Sequence, residues 1–152
     1  MKDIPKGMLA GFVATMVLSL LMVLKAMMDL LPQLDLPKML AGMMGSLDTP
    51  IIGWIMHFAI GIVGYGVAIA ALDTKLPVTS RVGHGIMLGV IGWLIMKVVL
   101  MPMAGAGLSG MNMGVMAPMM TLVLHLIFGA VLGWVYGRSG ASQDVSMSRA
   151  RA

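Results

Sequence analysis

Residues Pro118–Gly137 read PMMTLVLHLIFGAVLGWVYG, an apolar run carrying one ionisable side chain, His125, near its middle. A run of this length and character can cross the hydrocarbon core of a bilayer as a helix. It has an echo earlier in the chain, where Pro50–Gly61 reads PIIGWIMHFAIG. In both stretches a proline is followed seven residues later by histidine, and four residues after that by glycine. Pro50, His57 and Gly61 therefore correspond to Pro118, His125 and Gly129. The repetition predicts a duplicated helical hairpin, with one histidine per copy at the same distance from the same end.

Composition sets the class. The chain has 152 residues, 59% of them hydrophobic and 11% charged, with a mean hydropathy of +0.98. A soluble domain is about a quarter charged. Four apolar runs of spanning length predict an all-α membrane protein. Its four transmembrane helices form two parallel helical-hairpin repeats, with the lipid bilayer as their surroundings. There is no cysteine, which excludes disulfides, thiolate metal sites and thiol catalysis. The net charge of +4 does not point to nucleic acid, because the basic residues sit at the ends of apolar segments.

Helix 1 is expected at Gly7–Leu31. The run is too long for a signal peptide, and no small-residue cleavage site follows it. Gly7, Gly11, Thr15 and Ser19 make a narrow face for close helix approach. Lys25 and Asp29 lie one turn apart and can pair. A short interfacial helix, Pro37–Met44, is expected between helices 1 and 2. Helix 2 is expected at Pro50–Leu72, capped by Asp48 or Thr49, with Trp54 near the membrane boundary. Helix 3 is expected at Val82–Met101, ended by Pro102. Helix 4 follows at Val115–Tyr136, with Gly129, Gly133 and Gly137 at four-residue spacing. One transmembrane domain, residues 1–138, then carries a basic tail, 139–152, expected to be disordered.

Charge gives the orientation. Lys2, Lys6, Lys75, Arg81, Arg138, Arg149 and Arg151 fall on the side of both termini, and of the connections only Pro32–Pro50 on the other side carries a basic residue, Lys38. Both termini should face the cytoplasm. At about 1.5 Å per residue, His57 and His125 then lie roughly 10 Å below the outer surface, and Lys97 reaches a similar layer.

Polar groups at such depth usually face the bundle interior. One reading of this layer is structural, each histidine bonding a backbone carbonyl or a hydroxyl such as that of Thr121. A second is a b-type haem held by His57 and His125, with Gly61 and Gly129 clearing space for the ring and Lys97 or Lys25 meeting its propionates. A third uses the 20 methionines, many of them toward the outer side. Thioethers favour Cu(I), and Met101–Met103 with Met111, Met113 and Met116 flank the glycine-rich connection; as plain apolar filler they need no metal. No resident metal site is assigned.

Catalysis has no support in the sequence: there is no glutamate, every aspartate sits at a boundary, and no nucleophile–base–acid arrangement can be placed. His84, near the start of helix 3, reads as an interfacial residue.

GWIMHF at Gly53–Phe58, MPMAGAGL at Met101–Leu108 and TLVLHLIFGAVLGWVYG at Thr121–Gly137 resemble a family of small bacterial four-helix integral membrane proteins of unknown function. The resemblance covers about Gly7 to Gly137. It implies a bacterial inner-membrane protein and brings no catalytic residues. The expectation is a non-enzymatic accessory or structural subunit, as a homo-oligomer or within a larger membrane complex.

Overall fold

The computed structural model describes residues 3–72 and 75–150, with side chains through Ser139. Lys2, Asp73 and Arg151, and the side chains of Asp144 and Arg149, lie outside that description.

Among the described residues every regular element is helical. The long helices are α1 (Ile4–Met27), α3 (Pro50–Leu72), α4 (Arg81–Met103) and α5 (Met116–Ala150); a short α2 (Leu36–Met43) joins α1 to α3. Four stretches, Ile4–Met27, Pro50–Leu72, Arg81–Met103 and Met116–Ser139, are long and apolar enough to cross a membrane. They make this chain a membrane protein by length and composition.

Capping fixes the starts. Ser80 Oγ accepts the N–H of Gly83 at 3.0 Å, and Asp35 Oδ1 accepts that of Lys38 at 3.0 Å. Thr49 stands in the cap position of α3 without a side-chain bond, and Pro50 fixes the first turn. At the head of α1, Lys6 donates to Asp3 at 3.0 Å; that bond and the lysine charge hold the Asp3 carboxyl below its ordinary pKa.

Helix–helix contacts rest on glycine. A Cβ on Gly7 or Gly11 of α1 would overlap the carbonyl oxygens of Gly66 and Gly61 of α3. A Cβ on Gly85 or Gly89 of α4 would overlap those of Gly129 and His125 of α5, and one on Gly133 would overlap that of Arg81. The backbones touch because nothing stands between them. α1 packs on both α3 and α5, and α5 on α4, whereas α3 and α4 scarcely touch. One core forms around Ala10, Ala14, Ile69, Leu88, Phe128, Leu132 and Tyr136; a second, at the α2 end, around Leu34, Met96, Met101 and Ala106.

Three expectations are corrected. Helix 1 stops at Met27, not Leu31, because Lys25 pulls the following chain back over itself. Its ammonium donates to the carbonyls of Leu30 (3.0 Å), Leu31 (3.0 Å) and Leu34 (2.8 Å). Asp29 and Leu31 take positive φ of 52° and 51° in that turn, so Asp29 leaves the helix and makes no ion pair with Lys25. Pro102 does not end its helix, which reaches Met103; the preceding Met96–Leu100 winds as π-helix, with Met101 N–H bonded to Met96 O. The backbone of α5 is helical through residues 139–150. That stretch has no proline, and extending an existing helix is easy once it is nucleated.

The connection from α4 to α5 folds into a 3₁₀ helix, Leu108–Met113, entered through Gly107 at φ 76°. Ser109 sits at φ 62°, with its carbonyl turned onto Lys97 Nζ at 2.5 Å.

Candidate functional site

Because α3 and α4 stand apart, the bundle holds a cavity of about 350 Å³ between them. α1 and α5 contribute its other walls, and Leu36 and Leu40 of α2 line it too. The lining is apolar except for a few groups, among them His57 and His125. Ile60, Gly64, Ile91 and Ile95 line it and are also exposed, so the gap between α3 and α4 opens at the bundle surface.

Both helices that frame the cavity change their winding there. Ile60–Tyr65 of α3 and Met96–Leu100 of α4 are π-helical. Ile60, Gly61, Gly64 and Tyr65 of the first, and Met96 and Leu100 of the second, line the space. A π-turn places one extra residue in the helix and is common at functional sites. Here it also explains a spacing. Gly61 and Gly66 are five residues apart, yet both face α1; on α5 the equivalent contacts use Gly129 and Gly133, four apart. Tyr65 reaches from α3 across the gap, its hydroxyl over Gly92 of α4 and its ring edge-on to Phe128 at 4.7 Å.

The two histidines come from α3 and α5, which stand diagonally across the bundle. His57 is buried, with Nε2 3.2 Å from Ser19 Oγ. Ser19 gives its only hydroxyl proton to Thr15 O at 2.8 Å. Both contacts are satisfied together when His57 carries its proton on Nε2 and donates it to Ser19. His125 is the opposite tautomer: its Nδ1 lies 2.8 Å from Thr121 O, and a carbonyl can only accept. The remaining nitrogen of each neutral ring, Nδ1 of His57 and Nε2 of His125, is a lone-pair acceptor with no partner among the described residues.

The other residues singled out in the sequence are used differently. Gly61 lies on the cavity, and Thr15 packs against it from α1. Gly129 lies off the cavity and closes the α4–α5 contact, its Cα face against Gly85 and Ile86. Lys97 is also off the cavity, bonded to Ser109 O and 5.4 Å from the centre of the Trp93 ring. Thr121 meets His125 through its carbonyl; its hydroxyl accepts from Trp93 Nε1 at 3.2 Å and bonds Ala117 O at 2.9 Å. His84 is buried at the start of α4, with Nε2 against Val78 O. Sequence reasoning missed Tyr65 and the two π-turns, and it placed Ser19 on a packing face without its contact to His57. The five-residue glycine interval was the one available signal for the first of those turns.

A second space of about 470 Å³ lies at the α2 end, where Met39 and Met43 of α2 meet Met103 and Met113, beside Asp35 and Lys38. Among the described residues no group of three His, Cys, Asp or Glu side chains is placed to hold a metal ion.

The chain belongs to the family of unknown function DUF6789. The match covers residues 1–147. No curated protein and no solved structure matches the chain. The membership agrees with the resemblance in being to a family of unknown function, and it assigns neither an activity nor a source.

Proposed function

We propose that this protein is a non-catalytic accessory protein of the bacterial inner membrane, with both termini cytoplasmic, that holds a lipid-soluble molecule in the cavity between α3 and α4. The observation that carries the reading is an apolar intramembrane space, open at the bundle surface, with two histidines in its lining. The proposed architecture is two parallel helical hairpins. Its support is the similar glycine contact in each pair, Gly11 on Gly61 and Gly85 on Gly129. The test is to extract and count small molecules that copurify with the protein and with Gly64→Phe. A Cβ at Gly64 meets nothing nearer than Ile60 Cγ2 at 4.0 Å, so the larger side chain can enter the space without disturbing the backbone. Copurified lipid-soluble material is expected from the wild type and should be depleted in the variant. Equal yields from both would reject the reading.

A b-type haem between His57 and His125 fits these residues less well. His57 Nε2 is engaged by Ser19, and Gly129 and Lys97 stand off the cavity.

Cu(I) handling is a second reading with its own support, the four thioethers of Met39, Met43, Met103 and Met113 around one space. Titration with Ag(I), a redox-inert mimic of Cu(I), should then give saturable binding that Met39→Leu with Met103→Leu removes.

A further inference from the structure

The unpartnered nitrogens say what kind of head group suits the cavity. His57 gives its proton to Ser19, and His125 gives its own to Thr121 O. What each ring leaves over is a lone pair. Among the described residues no sealed side-chain nitrogen or oxygen lacks a partner. The two free ring nitrogens are therefore reachable rather than packed over. In an apolar space, an acceptor without a donor is costly, which favours a ligand that brings hydrogens. Two acceptors on diagonal helices suit a head group with hydroxyls at opposite ends. Below the histidines the lining continues along α3 through Tyr65 and Ala68 to Leu72, with Leu88 of α4. His57 and Leu72 are roughly 22 Å apart along α3 at about 1.5 Å per residue, with Tyr65 crossing to Gly92 between them, so a tail on this apolar shaft passes beside the Tyr65 ring.

We infer that the α3–α4 cavity binds a lipid-soluble hydroquinone, its ring hydroxyls donating to His57 Nδ1 and His125 Nε2 and its alkyl or isoprenoid tail lying along the shaft toward Leu72. The inference rests on the cavity being a binding site, as proposed above, and adds the chemistry of the head group. It concerns binding alone; no electron transfer is part of it. The oxidised quinone and the dialkyl ether of the same ring have acceptors only, so they would set oxygen lone pairs against nitrogen lone pairs.

The two tryptophans near the histidines supply the readout. The Trp54 ring lies 5.8 Å from that of His57, and Trp93 bonds Thr121 one turn from His125. Tryptophan fluorescence of the full chain in nanodiscs is titrated with decylhydroquinone kept reduced, and separately with its dimethyl ether. The hydroquinone should bind about tenfold or more tightly than the ether, the discrimination expected when a hydrogen-bonding site meets an analogue without donors. His125→Leu and His57→Leu should each narrow that ratio while leaving ether binding in place, which also shows that the variants are folded. Equal binding of hydroquinone and ether would overturn this inference and leave the cavity reading standing. Binding of neither would overturn both. Quenching that persists unchanged in Gly64→Phe would be partition into the bilayer and would also overturn both.

Discussion

The ammonium of Lys25 meets the carbonyl oxygen of Leu34 at 2.8 Å, nine residues further along the chain. With its bonds to Leu30 and Leu31, all three N–H groups of a buried lysine are used by one turn. A lysine near the rim of a spanning helix usually reaches outward to water. This one folds the chain inward and places Leu34 in the core at the α2 end.

Lys25→Met keeps the length and apolar stem and removes the donors. It is expected to lower stability in detergent by about 1.5–3 kcal/mol, the range for hydrogen bonds to a charged group. Proteolysis between Met27 and Leu36 should accelerate in the same variant. A melting temperature and cleavage rate equal to wild type would mean that the turn holds itself.

The α4–α5 contact gives a sharper steric test. A Cβ on Gly133 would meet the Arg81 carbonyl oxygen, with Val82 Cα 2.8 Å away, and both are backbone atoms. Gly133→Ile should destabilise the bundle by about 1–3 kcal/mol, the cost of forcing volume into a packed contact. Gly64→Ile, on the open side of α3, is the control and should leave the melting point nearly unchanged. Equal melting of the two variants would contradict the packing described here.

Orientation rests on charge and can be read separately. Reporters fused after Gly137 or within Lys75–Arg81 should report cytoplasm, and reporters within Ala104–Gly114 the opposite side. The basic residues of the connections and termini gather on the first side, with Lys38 on the other. A C-terminal reporter active outside would invert the assignment.

Much of this fold is legible in the sequence, because a bilayer demands long apolar runs. α3 starts at Pro50 as expected, since a boundary proline sets its first turn. The end of α1 was hidden because Leu30 and Leu31 look like more spanning helix, and only tertiary contact shows Lys25 unwinding them. The paired histidines were visible as a repeated proline–histidine–glycine frame. Their different tautomers were not, because the partner of His57 is Ser19 on another helix. Gly129 could be read two ways in the sequence, as room beside a ring or as part of the Gly129–Gly133–Gly137 stripe, because spacing shows that a glycine makes room but not for what; here it lies against α4.

The π-turn of α3 yields the last prediction. Gly61 and Gly66 both face α1, although five residues in an ordinary α-helix would turn the second well away from the first, at roughly 100° per residue. Ile60–Tyr65 absorbs the extra residue as a wide turn. Deleting Val63, which is exposed at the bundle surface, would leave the two glycines four apart. An uninterrupted α-helix would then keep both on α1. The wide turn is therefore dispensable for packing, and the deletion variant should melt within a few degrees of wild type. What it should lose is the cavity wall. Gly64, inside the wide turn, would shift around the helix axis relative to His57, while Tyr65, next to Gly66, would keep its place over Gly92. Copurifying small molecules and tryptophan quenching should both fall together. A variant that unfolds would show that the π-turn is needed for the α1–α3 contact itself; one that folds and still binds would show that the cavity does not depend on it.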